Sequence, residues 1–262
     1  MPLSGIPRRL RRLLGPNGRA FLIALEHGIP AGPIPGLERP REVLEQVRGA
    51  PETGIIANPG MVRHLPADVI AARALVVHLS AGTLLGSSPT TKVLVATVER
   101  AVALGADAVS VQIHFGDAAE DRMVADAARV ADEAHALGIP TLAMAYDSRF
   151  AGTTSVDEAS VAHAARAAAE IGADLVQVSY GGPADGLRRI VHGCPVPVLL
   201  AGGPRLAVVS TWLESLRQAF AAGVAGISVG RALFASEDPA SLAGQIADVV
   251  FDRELAPVPM RR

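Results

Sequence analysis

The side chains able to move a proton or polarise a carbonyl fall at the ends of short apolar runs. Glu26 and His27 close the run Ala20 to Leu25, Asn58 follows Ala57, and His78 follows Val77. Gln112 and His114 flank Ile113, Tyr146 ends the run from Pro140, and Gln177 and Ser179 alternate with Val176 and Val178. Glu26 and His27 beside Tyr146 make an acid–base set. Gln177 is a lone polar side chain in an apolar strand, which costs free energy unless it is hydrogen-bonded. Its amide NH2 can donate to a carbonyl or enolate oxygen, a neutral form of charge stabilisation. Carbanion-type chemistry follows: aldol or retro-aldol, enolisation, dehydration or ring closure. The bland alternatives are a His27 that bonds backbone in its turn and a Tyr146 that only fills core.

Two glycine turns add an anion site. Ala201-Gly202-Gly203-Pro204-Arg205 and Val229-Gly230-Arg231 each follow an apolar run. Glycine lets backbone N–H groups approach an anion, and arginine adds charge. His114, Ser179 and Lys92 complete the expected substrate-binding set. Lys92 is the only lysine in the chain; it reads as a charged group near substrate or as a solvated helix start. The one cysteine, Cys194, precedes Pro195 at a strand start and reads as buried filler. No histidine pair has ligand spacing of the His-x-x-x-His kind, so neither a metal nor another cofactor is expected.

The elements that position these groups repeat along the chain. Helices spanning Lys92 to Leu104, Ala118 to Leu137, Val156 to Ile171 and Leu213 to Ala222 are predicted to end at Gly105, Gly138, Gly172 and Gly223. Each is followed by a continuous apolar strand, the pattern of a strand covered on both faces. A short helix is expected around Gly186 to Val191, and Ser241 to Phe251 closes the chain with another. With strands near Ala20, Thr53, Ala74, Ala108, Pro140, Asp174, Val196 and Gly226, the pattern is α/β: a single-domain (β/α)8 TIM barrel over 1–262, with an open doubly wound sheet as the rival. Residues 1–19 read as a basic surface helix and lead-in, and 256–262 as a loose tail. In such barrels the site lies at the C-terminal strand ends, where all the candidates fall.

Bulk properties exclude several functions. The 262 residues are 50% hydrophobic and 19% charged, with formal net charge −2. Neither nucleic acid nor membrane is an expected partner on that balance, and 3% aromatic residues leave no stacking platform for single strands. No apolar run reaches the roughly 20 residues of a membrane helix, and the basic start lacks the apolar core of a secretion signal. One cysteine fits a cytoplasmic protein.

The chain resembles the DhnA-type class I aldolases, a group that includes archaeal-type fructose-bisphosphate aldolase, 2-amino-3,7-dideoxyheptulosonate synthases and the autoinducer-2 phosphate thiolase. The resemblance is carried by Leu25-Glu26-His27-Gly28, His78-Leu79-Ser80-Ala81-Gly82-Thr83, Leu104-Gly105-Ala106-Asp107, Ala143-Met144-Ala145-Tyr146, Gly172-Ala173-Asp174, Ala201-Gly202-Gly203-Pro204 and Ser228-Val229-Gly230-Arg231. It implies a small phosphorylated keto or aldehyde substrate, carbon–carbon bond chemistry in a biosynthetic pathway, and a ring-like homo-oligomer. It also implies a strand-6 Schiff-base lysine, a strand-5 tyrosine and a strand-1 aspartate. Tyr146 matches; Glu26 stands for the aspartate and Gln177 for the lysine. An amide cannot condense with a ketone, so acid–base catalysis without that imine is the expectation. The alternatives are a Schiff base on Lys92, a metal-dependent aldolase, or a non-catalytic module that binds a sugar phosphate or a partner.

Overall fold

In the computed structural model, which describes residues 5–15, 17–150, 157–202 and 208–252, eight parallel strands close into one barrel. They are β1 (Ala20–Ala24), β2 (Gly54–Ala57), β3 (Ala74–His78), β4 (Ala108–Phe115), β5 (Thr141–Asp147), β6 (Leu175–Val178), β7 (Val198–Ala201) and β8 (Gly226–Val229). Each lies beside its chain neighbours, and β1 pairs with β8 from Ala20↔Gly226 to Ile23↔Val229 to close the ring. The predicted single-domain barrel is the observed fold; the open sheet is not.

Ten helices serve the argument below: α1 (Gly5–Leu14), α2 (Pro40–Gln46), α3 (Ala67–Ala71), α4 (Val98–Ala103), α5 (Glu120–Ala136), α6 (Glu158–Ile171), α7 (Ala184–Gly193), α8 (Val209–Ala221), α9 (Arg231–Phe234) and α10 (Pro239–Val250). Helix-ending glycines take positive φ as expected, for example 69° at Gly138 and 100° at Gly223. None of the helices among the described residues is long and apolar enough to cross a membrane.

Alternation along the strands sorts side chains into two cores. Phe21, Ile23, Ile55, Val77, Val109, Val111, Val176 and Val178 pack outward with the helices. Leu22, Ile56, Val76, Leu142, Met144, Leu175 and Leu199 fill the barrel interior. Gln177 is level with Met144 on one side and Leu199 on the other, so it faces that interior.

The repeated Gly-Ala-Asp has a structural job. Asp107 accepts from the Leu75 amide at 3.0 Å and Asp174 from the Thr141 amide at 2.8 Å. Each carboxylate ties the start of its own strand to the strand before it.

Two expectations are corrected. The basic N-terminal segment is the expected helix leading into β1, with exposed arginines, but it is not merely a surface helix. Leu10, Leu13 and Leu14 of α1 join the interior core and floor the barrel, with Leu13 and Leu14 at most 1% exposed. Arg9 and Arg12 fasten the helix to Gly138, Ala71 and Arg73 carbonyls. Nor does a helix run from Lys92 to Leu104. Ser80–Ala81 pairs antiparallel with Val93–Leu94, and α4 begins only after Thr97, whose hydroxyl accepts from the Arg100 amide. The expected tail over 256–262 and the Gly203-to-Arg205 part of the strand-7 turn lie outside the described residues.

Candidate active site

Inward parity, continued past the interior leucines, brings one polar residue after another to the open end. The inner positions there are Asn58 after β2, His78 on β3, Gln112 and His114 on β4, Tyr146 on β5 and Gln177 on β6. Register sets His78 against Ser110 and His114 against Tyr146. The rings of His114 and Tyr146 stack at a tilt, 5.4 Å between centroids.

Gln177 is 3% exposed, and its Nε2 donates to Tyr146 Oη at 2.9 Å. The tyrosine oxygen therefore accepts from Gln177, and its own proton is left for another acceptor. Burial pushes the Tyr146 phenol up to about 12; the Gln177 donor and the Arg231 charge pull it down, and the Glu26 carboxylate pushes it further up. Glu26, Arg231, Tyr146 and Gln177 thus form one electrostatic unit from four elements. Asn58 Nδ2 donates to the Glu26 carbonyl at 2.9 Å and anchors the end of β1. The Glu26 carboxylate lies 3.6 Å from His27 Nδ1, too long for a hydrogen bond. His27 packs edge-on to Phe234, with centroids 6.5 Å apart, and against Gly230, where any Cβ would collide with its ring.

His78 and His114 are both neutral bases held low. Burial, then the Lys92 charge, lowers each to about 4. His78 Nδ1 bonds Ser110 Oγ at 2.9 Å; His114 Nε2 meets Gln112 Nε2 at 2.7 Å. Glu26 Oε2, Asn58 Oδ1, His114 Nδ1 and Gln177 Oε1 are buried without a hydrogen-bond partner among the described residues. The mouth is therefore short of donors, a demand that a hydroxylated ligand meets.

Lys92 is 6% exposed. It rides the hairpin after β3 rather than a helix turn, and its Nζ donates to the Pro89 carbonyl at 2.6 Å. Burial lowers its pKa, and Asp117 partly restores it.

Of the anticipated phosphate group, Gly230 and Arg231 stand at the mouth, where Gly230 leads into α9. The Gly202 amide is already committed: it donates to the Ser228 carbonyl at 2.6 Å, because β7 and β8 approach too closely for any side chain there. Gly203 lies outside the described residues. Ser179 is exposed just beyond β6. Ser110 and Asp117 were not singled out from the sequence. Ser110 is a register partner no linear pattern shows; Asp117 had a signal, its place two residues after the end of β4. Among the described residues no three His, Cys, Asp or Glu side chains gather as a metal site.

Comparison with known proteins places this geometry in context. A family model described as DeoC/LacD family aldolase matches residues 20–236. The 2-amino-4,5-dihydroxy-6-oxo-7-(phosphonooxy)heptanoate synthase of Streptomyces griseus is 35% identical over 88% of this chain and 85% of its own. The 2-amino-3,7-dideoxy-D-threo-hept-6-ulosonate synthase of Halobacterium salinarum is 36% identical over 95% of this chain and 92% of its own. An archaeal fructose 1,6-bisphosphate aldolase superposes with a TM-score of 0.85 at 28% identity, covering 94% of this chain and 98% of that one. A second archaeal structure, with its catalytic Lys covalently bound to a carbinolamine intermediate, gives the same score and identity over 94% and 99%.

Proposed function

Because the chain belongs to the DeoC/LacD aldolase family, we propose that it makes or breaks a carbon–carbon bond beside the carbonyl of a small phosphorylated ketone or aldehyde. Acid–base groups carry the proton transfers, and no imine forms at residue 177. The observation that carries this reading is the Gln177-to-Tyr146 hydrogen bond at 2.9 Å. It presents a protonated phenol, still able to donate, inside a barrel mouth. In bond cleavage the hydroxyl on the leaving carbon must lose a proton, and the carbanion must be held as an enolate. The Glu26 carboxylate is the base for the first task. Tyr146 and the remaining Gln177 N–H are donors toward the enolate oxygen. Arg231 and the Gly230 turn supply positive charge and backbone room for a phosphate. The phosphorylated class is supported by the relatives, whose names carry a phosphonooxy group and a bisphosphate.

The test is turnover of fructose 1,6-bisphosphate and other phosphorylated ketoses, followed by aldehyde release, with and without chelator. Chelator-resistant cleavage is expected, and Tyr146→Phe is expected to lower kcat/KM by about 10²–10⁴-fold. Tight binding of these compounds with no turnover of any would replace the enzyme by a binding module. Loss of turnover on chelation would replace it by a metal-dependent aldolase.

A further inference from the structure

The proposed function leaves a buried amine unused. Lys92 is the only lysine among the 262 residues, and the fold goes to some length to bury it beside the site. Beyond β3, Ser80–Ala81 pairs with Val93–Leu94 and turns the chain back over the open end. At Gly82 a Cβ would meet the Thr91 carbonyl and stand 3.2 Å from Lys92 Nζ, so glycine leaves the room that the lysine stem occupies. The amine ends 6% exposed, on the Pro89 carbonyl, within electrostatic reach of His78, His114 and Asp117. His114 stacks on Tyr146, the phenol that Gln177 holds. The amine thus belongs to the same polar mouth as the acid–base groups.

We propose that Lys92, brought to the barrel mouth by the hairpin after β3, is the amine that condenses with the substrate carbonyl. This rests on the functional reading above and deepens it: a covalent step comes first, and the enamine it yields takes the place of the free enolate. Neutral Nζ attacks the carbonyl carbon; a C–N bond forms and the C=O pair moves to oxygen. A proton passes from nitrogen to that oxygen, giving a carbinolamine. The hydroxyl takes a further proton, for which Tyr146 is the donor, and leaves as water, so a protonated imine remains. Electrons of the neighbouring C–C bond then flow toward nitrogen while the leaving carbon's hydroxyl proton passes to Glu26. The aldehyde departs, the enamine carbon takes up a proton, and water hydrolyses the imine to free Nζ. Desolvation supports the role, because it favours the unprotonated amine that attack requires. A structural relative also carries its catalytic Lys as a carbinolamine. In this chain, with glutamine at 177, the side-chain amine comes from a different strand end.

The experiment is borohydride trapping of the full chain with dihydroxyacetone phosphate and, separately, fructose 1,6-bisphosphate. It is followed by intact mass and peptide mapping that separates Lys92 from the amino terminus. One reduced adduct per chain on the Lys92 peptide is expected. Lys92→Arg, which keeps the charge but cannot form an imine, should lose both the adduct and at least 100-fold in kcat. Absence of an adduct on Lys92 overturns the assignment whatever the variant does. Turnover without an adduct leaves the acid–base function standing, whereas neither turnover nor adduct overturns both. A Lys92→Arg enzyme with near-wild-type kcat equally overturns the covalent role.

Discussion

Tyr146 holds its proton because burial opposes the phenolate, and the nearby Glu26 carboxylate adds to that opposition. Among the described residues, Gln177 is the side chain that donates to it. Gln177→Leu keeps most of the volume and removes that donor. Loss of one buried hydrogen bond of about 1–3 kcal/mol predicts a fall in kcat of roughly 5- to 150-fold, with KM changed much less. An unaltered kcat would reduce Gln177 to a packing residue. The two low-titrating histidines make a separate prediction. His78 moves from 6.5 in the unfolded chain to about 4 in the fold, so between those values the unfolded state binds more protons. Stability must therefore fall as pH drops from about 6.5 to about 4, by on the order of 3 kcal/mol from His78 alone. Urea unfolding of wild type and His78→Asn at pH 7.5 and 4.5 reads it. The variant should show the shallower loss, and parallel losses would contradict it.

At the scale of the element, α1 is the clearest case of function separated from stability. Its leucines seal the end of the barrel opposite the site. Leu13→Ala opens a cavity under the interior core and should cost about 2–5 kcal/mol in denaturant unfolding, with kcat/KM unaltered; a change in kcat/KM would mean that the floor shapes the mouth. The sequence carried the signal for this helix. Leu10, Leu13 and Leu14 repeat at the spacing of one helical face, but four flanking arginines drew the reading toward the surface. The barrel itself was legible, because parallel strands read as unbroken apolar runs and their helices stop at glycine. So was the placement of the candidate residues, since inward parity and the strand-end rule bring Asn58, His78, His114, Tyr146 and Gln177 to one end of the barrel. The hairpin at Lys92 was not. Val93, Val98 and Ala101 mimic a helical stripe, and only pairing with Ser80–Ala81, a contact across loops, reveals the strand. Partners such as Ser110 depend on register between strands, which no single stretch of sequence fixes.

At the scale of the whole molecule, the closure between β1 and β8 joins the first strand to the last. It is also a tight seam. A Cβ at Gly226 would lie 2.6 Å from the Ala20 carbonyl and 2.8 Å from the Ala20 Cβ. Gly226→Val should therefore push apart strands distant in sequence and lower the thermal midpoint by more than 10 °C, the effect of several kcal/mol in a chain of this size. A circular-dichroism melt within a few degrees of wild type would contradict it.

With its floor plugged by leucine, the barrel is a vessel with a single doorway. Whatever enters must depart the way it came. A cleavage that yields two fragments then imposes a queue: the piece nearer the rim leaves first, and the deeper piece waits behind it. In the reverse direction the deeper piece must be loaded first. Compulsory order in product-inhibition kinetics is the signature of that traffic.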